Sequence, residues 1–165
     1  MTIGQGWDRH RLAAGRPLRV GGITIPHDRG ALGHSDGDAL LHAVIDALLG
    51  ACSMGDIGSH FPPGDPAWKD ADSIMLLQHA WEKLINAGFH AVHIDSTVVL
   101  EEPKLRPYIE RMRSAIAEAV SIPLDSVSVK AKTAEGFPPV GTGEAIEAYA
   151  SVLVQPLEED QSMYL

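Results

Sequence analysis

The chain has one cysteine, Cys52, so no internal disulfide can form and a reducing compartment is expected. Long apolar runs are missing too. Nothing approaches the ~20 residues that span a bilayer, and the N-terminus lacks a basic stretch followed by an apolar one. These absences predict a cytoplasmic protein with no membrane segment. Basic residues are scarce: 13 Lys+Arg stand against 22 Asp+Glu, a net charge of −9. A nucleic-acid partner, which demands a basic face, is therefore not expected. A phosphorylated small molecule stays open, provided metal ions, individual cations or backbone N–H groups neutralise it locally. No Gly-x-Ser-x-Gly elbow, Walker loop or dinucleotide glycine fingerprint is present, and "GTGEA", 141–145, is a weak phosphate signal alone.

What is there suits one domain with a sizeable core: 165 residues, 45% hydrophobic and 21% charged. "MTIGQGW", 1–7, reads as a short first strand, with Gly4 and Gly6 leaving room for close backbone approach. "PLRVGGITIP", 17–26, reads as a second strand or hairpin arm, followed by a loop. "DALLHAVIDALLGA", 38–51, is a helix with Leu41, Val44, Ile45, Leu48 and Leu49 on its apolar face; Ser35 or Asp36 is the expected cap, with Asp38 in the first turn. Residues 55–72 lack periodicity, and a loop of that length suggests a lid or a binding loop. A second helix runs from a cap at Asp72 or Ser73 to about Ala87, a strand covers 92–100, and Pro107 opens a third helix to about Val120. Strands at 126–133 and within 141–156 complete the order. It predicts an α+β domain over residues 1–157, a mixed four-to-five-stranded sheet with helices on one face, and a polar tail at 158–165.

The chemistry centres on "GWDRH", 6–10. On a strand, Asp8 and His10 share a face while Arg9 points away, giving a two-ligand arm. His42, one turn into the first long helix, is the candidate third ligand. Asp, His and His with an open fourth position is a catalytic rather than a structural zinc pattern. The spacing alone also admits a plain reading, with His42 a satisfied core histidine. Asp46 reads as a solvated or capping carboxylate, Cys52 as a buried small residue, and His27, His60, His79, His90 and His93 as surface or packing residues.

"GWDRHRL", "GRPLRVGGITIP", "HSDGDALLHAVIDALLGA", "GDIGSHFPPGDPAWKDADS", "EEPKL" and "VKAKTAEG" follow one another in the order of a known family. Over residues 3 to about 155 the chain resembles the 2-C-methyl-D-erythritol 2,4-cyclodiphosphate synthases. The resemblance implies conversion of 4-diphosphocytidyl-2-C-methyl-D-erythritol 2-phosphate to the cyclic diphosphate and CMP, with no protein nucleophile. It implies that Asp8, His10 and His42 bind zinc (manganese as alternative), that Glu135 helps hold magnesium on the substrate diphosphate, and that His34 and Thr133 stabilise the transition state. Ser35, Asp56, Ile57, Gly58 and the loop Phe61, Pro62, Pro63, Gly64 and Asp65 match substrate positions, with Lys132 and Ala134. Leu100, Pro103, Lys104, Leu105, Arg106 and Ala131 match the cytidine pocket. A homotrimer with active sites at subunit interfaces is implied as well.

The chain departs from the commonest family pattern at Lys132, at Thr142 (where many members carry Arg) and at Pro138-Pro139. A metal-dependent phosphohydrolase, and a binding protein that keeps the fold without the chemistry, are the competing readings; the intact ligand set speaks against the second.

Overall fold

The computed structural model describes residues 1–157; the expected polar tail, 158–165, lies outside them. A five-stranded mixed sheet is built from β1 (Thr2–Ala14), β4 (Arg29–Ala31), β5 (Phe89–Val99), β6 (Val127–Lys132) and β7 (Ala145–Pro156), in the order β4-β1-β7-β5-β6. Only β5 and β6 run parallel; every other pairing is antiparallel. The helices α1 (Ala39–Ala51), α3 (Ser73–Asn86) and α4 (Ile109–Ala119) pack on one side, as expected, and a one-turn helix α2 (Ile57–His60) follows α1.

Alternation decides which side is covered. Gly4, Gly6 and Leu12 of β1 face inward with Ile146, Ala148, Ala150, Val152 and Val154 of β7, while Ile3, Trp7 and Tyr149 lie exposed on the opposite face. The two inward glycines let α1 lie against β1. This helix is more deeply embedded than a one-faced helix: every residue except Asp46 and Gly50 is buried, because α3 covers the side turned from the sheet.

Several local expectations change. The first strand runs on to Ala14, so it carries Asp8 and His10 in its middle rather than at its end. Residues 17–26 do not join the main sheet. They form the hairpin of β2 (Leu18–Val20) and β3 (Ile23–Ile25), turned by Gly21 and Gly22 at φ +61° and +79°, the left-handed conformation that tight hairpin turns require. The loop after it contains β4. The cap of α1 is Asp38, whose carboxylate accepts from Leu41 N (3.1 Å), Gly21 N (2.9 Å) and Gly22 N (2.7 Å) and so ties helix to hairpin. Asp72 caps α3 through Ile74 N, 2.8 Å. Pro107 sits in a 3-10 turn, Arg106–Tyr108, ahead of α4. Residues 55–72 hold α2 and a second 3-10 turn, Pro66–Trp68, rather than structureless chain.

Candidate metal centre and substrate pocket

Asp8 and His10 leave the helix-facing side of β1 two and four residues after Gly6, where α1 presents His42. Asp8 Oδ2 stands 2.9 Å from His10 Nε2 and 2.9 Å from His42 Nδ1, and those nitrogens are 3.1 Å apart. A tetrahedral ion with bonds of about 2.0 Å sets its donors about 3.3 Å apart, so the three atoms form one ready face of such a shell. No other group of three His, Cys, Asp or Glu residues among the described residues is so arranged.

Both imidazoles are oriented from behind. His10 Nδ1–H donates to the Leu32 carbonyl (2.8 Å), which turns the Nε2 lone pair toward the cluster. His42 presents the other nitrogen: its Nε2 lies 3.1 Å from Ser35 Oγ and 3.0 Å from Ser73 Oγ. The charges respond to each other. Burial by itself would raise the Asp8 pKa, but the hydrogen bonds and positive charge of His10 and His42 outweigh it and hold the carboxyl well below the usual range. Burial lowers His10, and the Asp8 carboxylate more than reverses this, leaving it raised. A carboxylate that stays ionised between two imidazoles is a donor set for a divalent cation.

The triad opens into a pocket of about 290 Å³ lined by His10, His34, Ser35, His42, Ile57, Gly58, Phe61, Pro63, Trp68 and Leu76. One wall is polar and carries the triad; the other is apolar, with Trp68 standing edge-on to Phe61 at 5.0 Å between centroids. Of the expected site residues, the catalytic candidate His34 and the substrate positions Ser35, Ile57, Gly58, Phe61 and Pro63 line this pocket. Asp56 lies at its exposed margin, where its carboxylate caps α2 through Ser59 N, 2.8 Å; that contact and the Ser59 hydroxyl lower its pKa. Pro62, Gly64 and Asp65 lie on the same loop, and Asp65 caps the following 3-10 turn through Ala67 N.

The remaining expected residues form a second cluster. Leu100 N donates to the Lys132 carbonyl (2.9 Å), Ala134 N to Glu101 (3.1 Å), and the Thr133 hydroxyl to Glu135. Leu100 and Leu105 are buried beneath this segment, with Pro103, Lys104 and Arg106 around them and Ala131 at the end of β6. Two strands, β7 and β5, separate β6 from β1, and three inter-strand steps amount to about 14 Å. Neither Thr133 nor Glu135 is among the residues that line the triad's pocket or form the three-donor group.

Sequence reasoning missed Leu32, Asp36, Ser73, Trp68 and Leu76. For the carbonyl of Leu32 no signal exists, because any residue offers one. Asp36 and Ser73 read as ordinary helix-start residues, Trp68 falls in the aperiodic stretch 55–72, and Leu76 lies off the helix face marked by Ile74, Leu77, Trp81 and Leu84. Asp46, read as a solvated or capping carboxylate, is neither free in solvent nor the cap of a helix: from within α1 it accepts from Ile57 N at 2.7 Å and anchors the pocket's Ile57–Gly58 edge to that helix.

A model of the YgbB family matches residues 1–155. The 2-C-methyl-D-erythritol 2,4-cyclodiphosphate synthase of Salinibacter ruber is 55% identical over 155 residues, 94% of this chain and 99% of that protein. The enzyme of the same name from Moorella thermoacetica is 52% identical over 154 residues, covering 93% and 94% respectively. A solved 2C-methyl-D-erythritol-2,4-cyclodiphosphate synthase in its CDP-bound form superposes with a TM-score of 0.86 at 38% identity, covering 93% of this chain and 99% of that one.

Proposed function

The chain belongs to the YgbB family, and on that premise we propose that it converts 4-diphosphocytidyl-2-C-methyl-D-erythritol 2-phosphate to 2-C-methyl-D-erythritol 2,4-cyclodiphosphate and CMP, a step of non-mevalonate isoprenoid synthesis. An oxygen of the substrate's 2-phosphate attacks the β-phosphorus. The bond from that phosphorus to the oxygen bridging to the α-phosphate breaks, and CMP leaves with the bridging oxygen. No water and no protein nucleophile enters, because the substrate's own 2-phosphate supplies the attacking oxygen.

The observation that carries this reading is the triad: three donor atoms 2.9–3.1 Å apart beside a largely apolar pocket. Two nitrogens, one carboxylate oxygen and an open position suit zinc, with manganese the alternative, and either ion would polarise a phosphate oxygen as a Lewis acid. Glu135, exposed and next to the Thr133 hydroxyl, offers the hard oxygen donors that magnesium on a diphosphate takes. Asp8, His10 and His42 would hold the zinc or manganese ion. His34 at the pocket wall and Thr133 offer hydrogen bonds to the charge that shifts as the bridging bond breaks. Ile57, Phe61, Pro63, Trp68 and Leu76 exclude water, which favours the intramolecular nucleophile over hydrolysis. Ser35, Asp56 and Gly58 position the methylerythritol hydroxyls; Lys132, Ala134, Ala131 and the stretch Leu100 to Arg106 take the cytidine end.

A homotrimer follows from the same reading. The triad lies on β1 and α1 while the 100–106/131–135 cluster follows β5 and β6, with β7 between β1 and β5, and the sheet face bearing Ile3, Trp7 and Tyr149 is uncovered, which suits contact with copies of the chain that complete each other's sites. A cytoplasmic location, with Cys52 as a thiol, belongs to it too. No helix among the described residues is long and apolar enough to cross a membrane.

The test is phosphorus NMR of the protein with this substrate, zinc and magnesium. Two coupled cyclic-diphosphate resonances should grow with CMP and be absent with His42→Ala. Acyclic phosphates would move the chain to the hydrolase reading.

A further inference from the structure

Ser73 has no exposed surface and lies 31 residues from the histidine it touches. Its single hydroxyl proton is committed: it donates to Asp36 Oδ1. Asp36 is itself held in place, accepting Ser73 N at Oδ2 (3.0 Å) and Asp38 N at Oδ1 (3.2 Å), with Arg19 Nε 3.5 Å from Oδ2. Toward His42 Nε2, 3.0 Å away, the Ser73 oxygen can therefore only accept. Ser35 Oγ approaches the same nitrogen at 3.1 Å, but its proton has no fixed acceptor, so it can donate or accept there. Ser73, not Ser35, decides the polarity of the imidazole.

We infer that Ser73, locked as an acceptor by Asp36, is a positioning residue that keeps the proton of His42 on Nε2 and so turns the Nδ1 lone pair toward the metal. The inference rests on the metal reading of the triad. Without Ser73, the Ser35 hydroxyl is free to donate to Nε2, and the ring proton moves to Nδ1, where it points at Asp8 Oδ2 and stands in the place of the ion. The two histidines are thus set to opposite tautomers by different devices. His10 uses a backbone carbonyl that no substitution removes; His42 uses a hydroxyl–carboxylate relay reaching to the first turn of α3 and, through Arg19, to β2.

A merely structural Ser73 would anchor α3 and nothing more, so the readouts are metal affinity and ring protonation. Zinc affinity is measured by competition with a chromophoric chelator, and long-range proton–nitrogen NMR of the zinc-loaded protein reads the His42 ring. Ser73→Ala is expected to bind zinc about 10- to 100-fold more weakly. Ser35→Ala should cost less than about 3-fold, since the Ser73 acceptor remains. Asp36→Ala combined with Ser73→Ala should bind no more weakly than Ser73→Ala alone, because Asp36 acts through the hydroxyl. If Ser73→Ala does not fold, Asp36→Asn, which keeps the shape but weakens the acceptor, carries the test with an expected loss of about 3-fold or more. Ser73→Ala or Asp36→Asn binding zinc like the parent, fully additive losses, or a loaded His42 ligating through Nε2 would each overturn the inference. Failure of the metal reading looks different: the parent and His42→Ala would bind zinc equally weakly.

Discussion

A Cβ built on Gly6 would lie 1.9 Å from the carbonyl oxygen of Ala43, far inside any contact that atoms tolerate. At Gly4 the corresponding distance, to the Ala47 carbonyl, is 1.8 Å. β1 and α1 are therefore in backbone contact along two helical turns, and this contact brings Asp8 beside His42. Gly6→Ala is expected to force the elements apart at a cost of about 3 kcal/mol or more, and to weaken zinc binding as well. Denaturant unfolding and zinc competition on the same samples check both. Loss of stability with unchanged zinc affinity would separate the glycine contact from the metal arm.

Asp38 serves three N–H donors at once, from Leu41, Gly21 and Gly22, while completely buried. Asp38→Ala orphans all three, and the expected loss is about 2–4 kcal/mol, the cost of a missing cap plus stranded backbone groups. Thermal unfolding would register it; a change within about 0.5 kcal/mol would mean that water replaces the carboxylate.

Acidity should act in opposite senses on the metal-free protein and on metal uptake. The raised pKa of His10 gives stability that is full below the unfolded value of about 6.5 and lost as pH climbs through the folded value; the lowered pKa of Asp8 gives stability that is present above about 3.9 and lost as pH falls through its own. Chelator-treated protein should therefore lose melting temperature as pH rises above about 6.5. Zinc must displace the His10 proton, so its apparent affinity should rise over the same interval. Melting curves and zinc titrations across that range decide it, and parallel trends would contradict the assignment of the raised pKa to His10.

Trp68 forms part of the wall between triad and solvent. Trp68→Ala should lower kcat/KM about 10- to 100-fold by loosening the bound geometry and let some acyclic product form. The product ratio, read by phosphorus NMR, isolates water exclusion from binding, since a variant that only binds weakly would still make cyclic product alone.

If two copies complete each site, Asp8→Ala and Thr133→Ala, each inactive, should complement when co-expressed. Random mixing in a cyclic trimer leaves about a quarter of sites with both halves intact, and activity near that fraction is the expected result. None at all would place both halves in one chain.

The period-two alternation of Asp8-Arg9-His10 and the helical placement of His42 were legible because both are local geometry, and Gly4 and Gly6 were legible because only glycine permits such an approach. The cap of α1 was not. Ser35, Asp36 and Asp38 are all good capping residues within four positions, and the choice falls to Asp38 because Gly21 and Gly22, far back in the chain, supply it with two more donors. Likewise 17–26 alternates well enough for a sheet strand, but its two-glycine turn folds it on itself. Ser73 reaching His42 is a tertiary fact with no local pattern to announce it.

The separation of β1 from β6 by two strands has a kinetic meaning. If copies of the chain complete each other's sites, as proposed above, catalytic competence becomes a collective property that varies with the amount of chain present. Dilution below the association threshold should silence the reaction while each fold stays intact and each triad still takes up its ion. On the same premise, a compound seated on the exposed face of Trp7 and Tyr149 would achieve the same silence without approaching the phosphate chemistry.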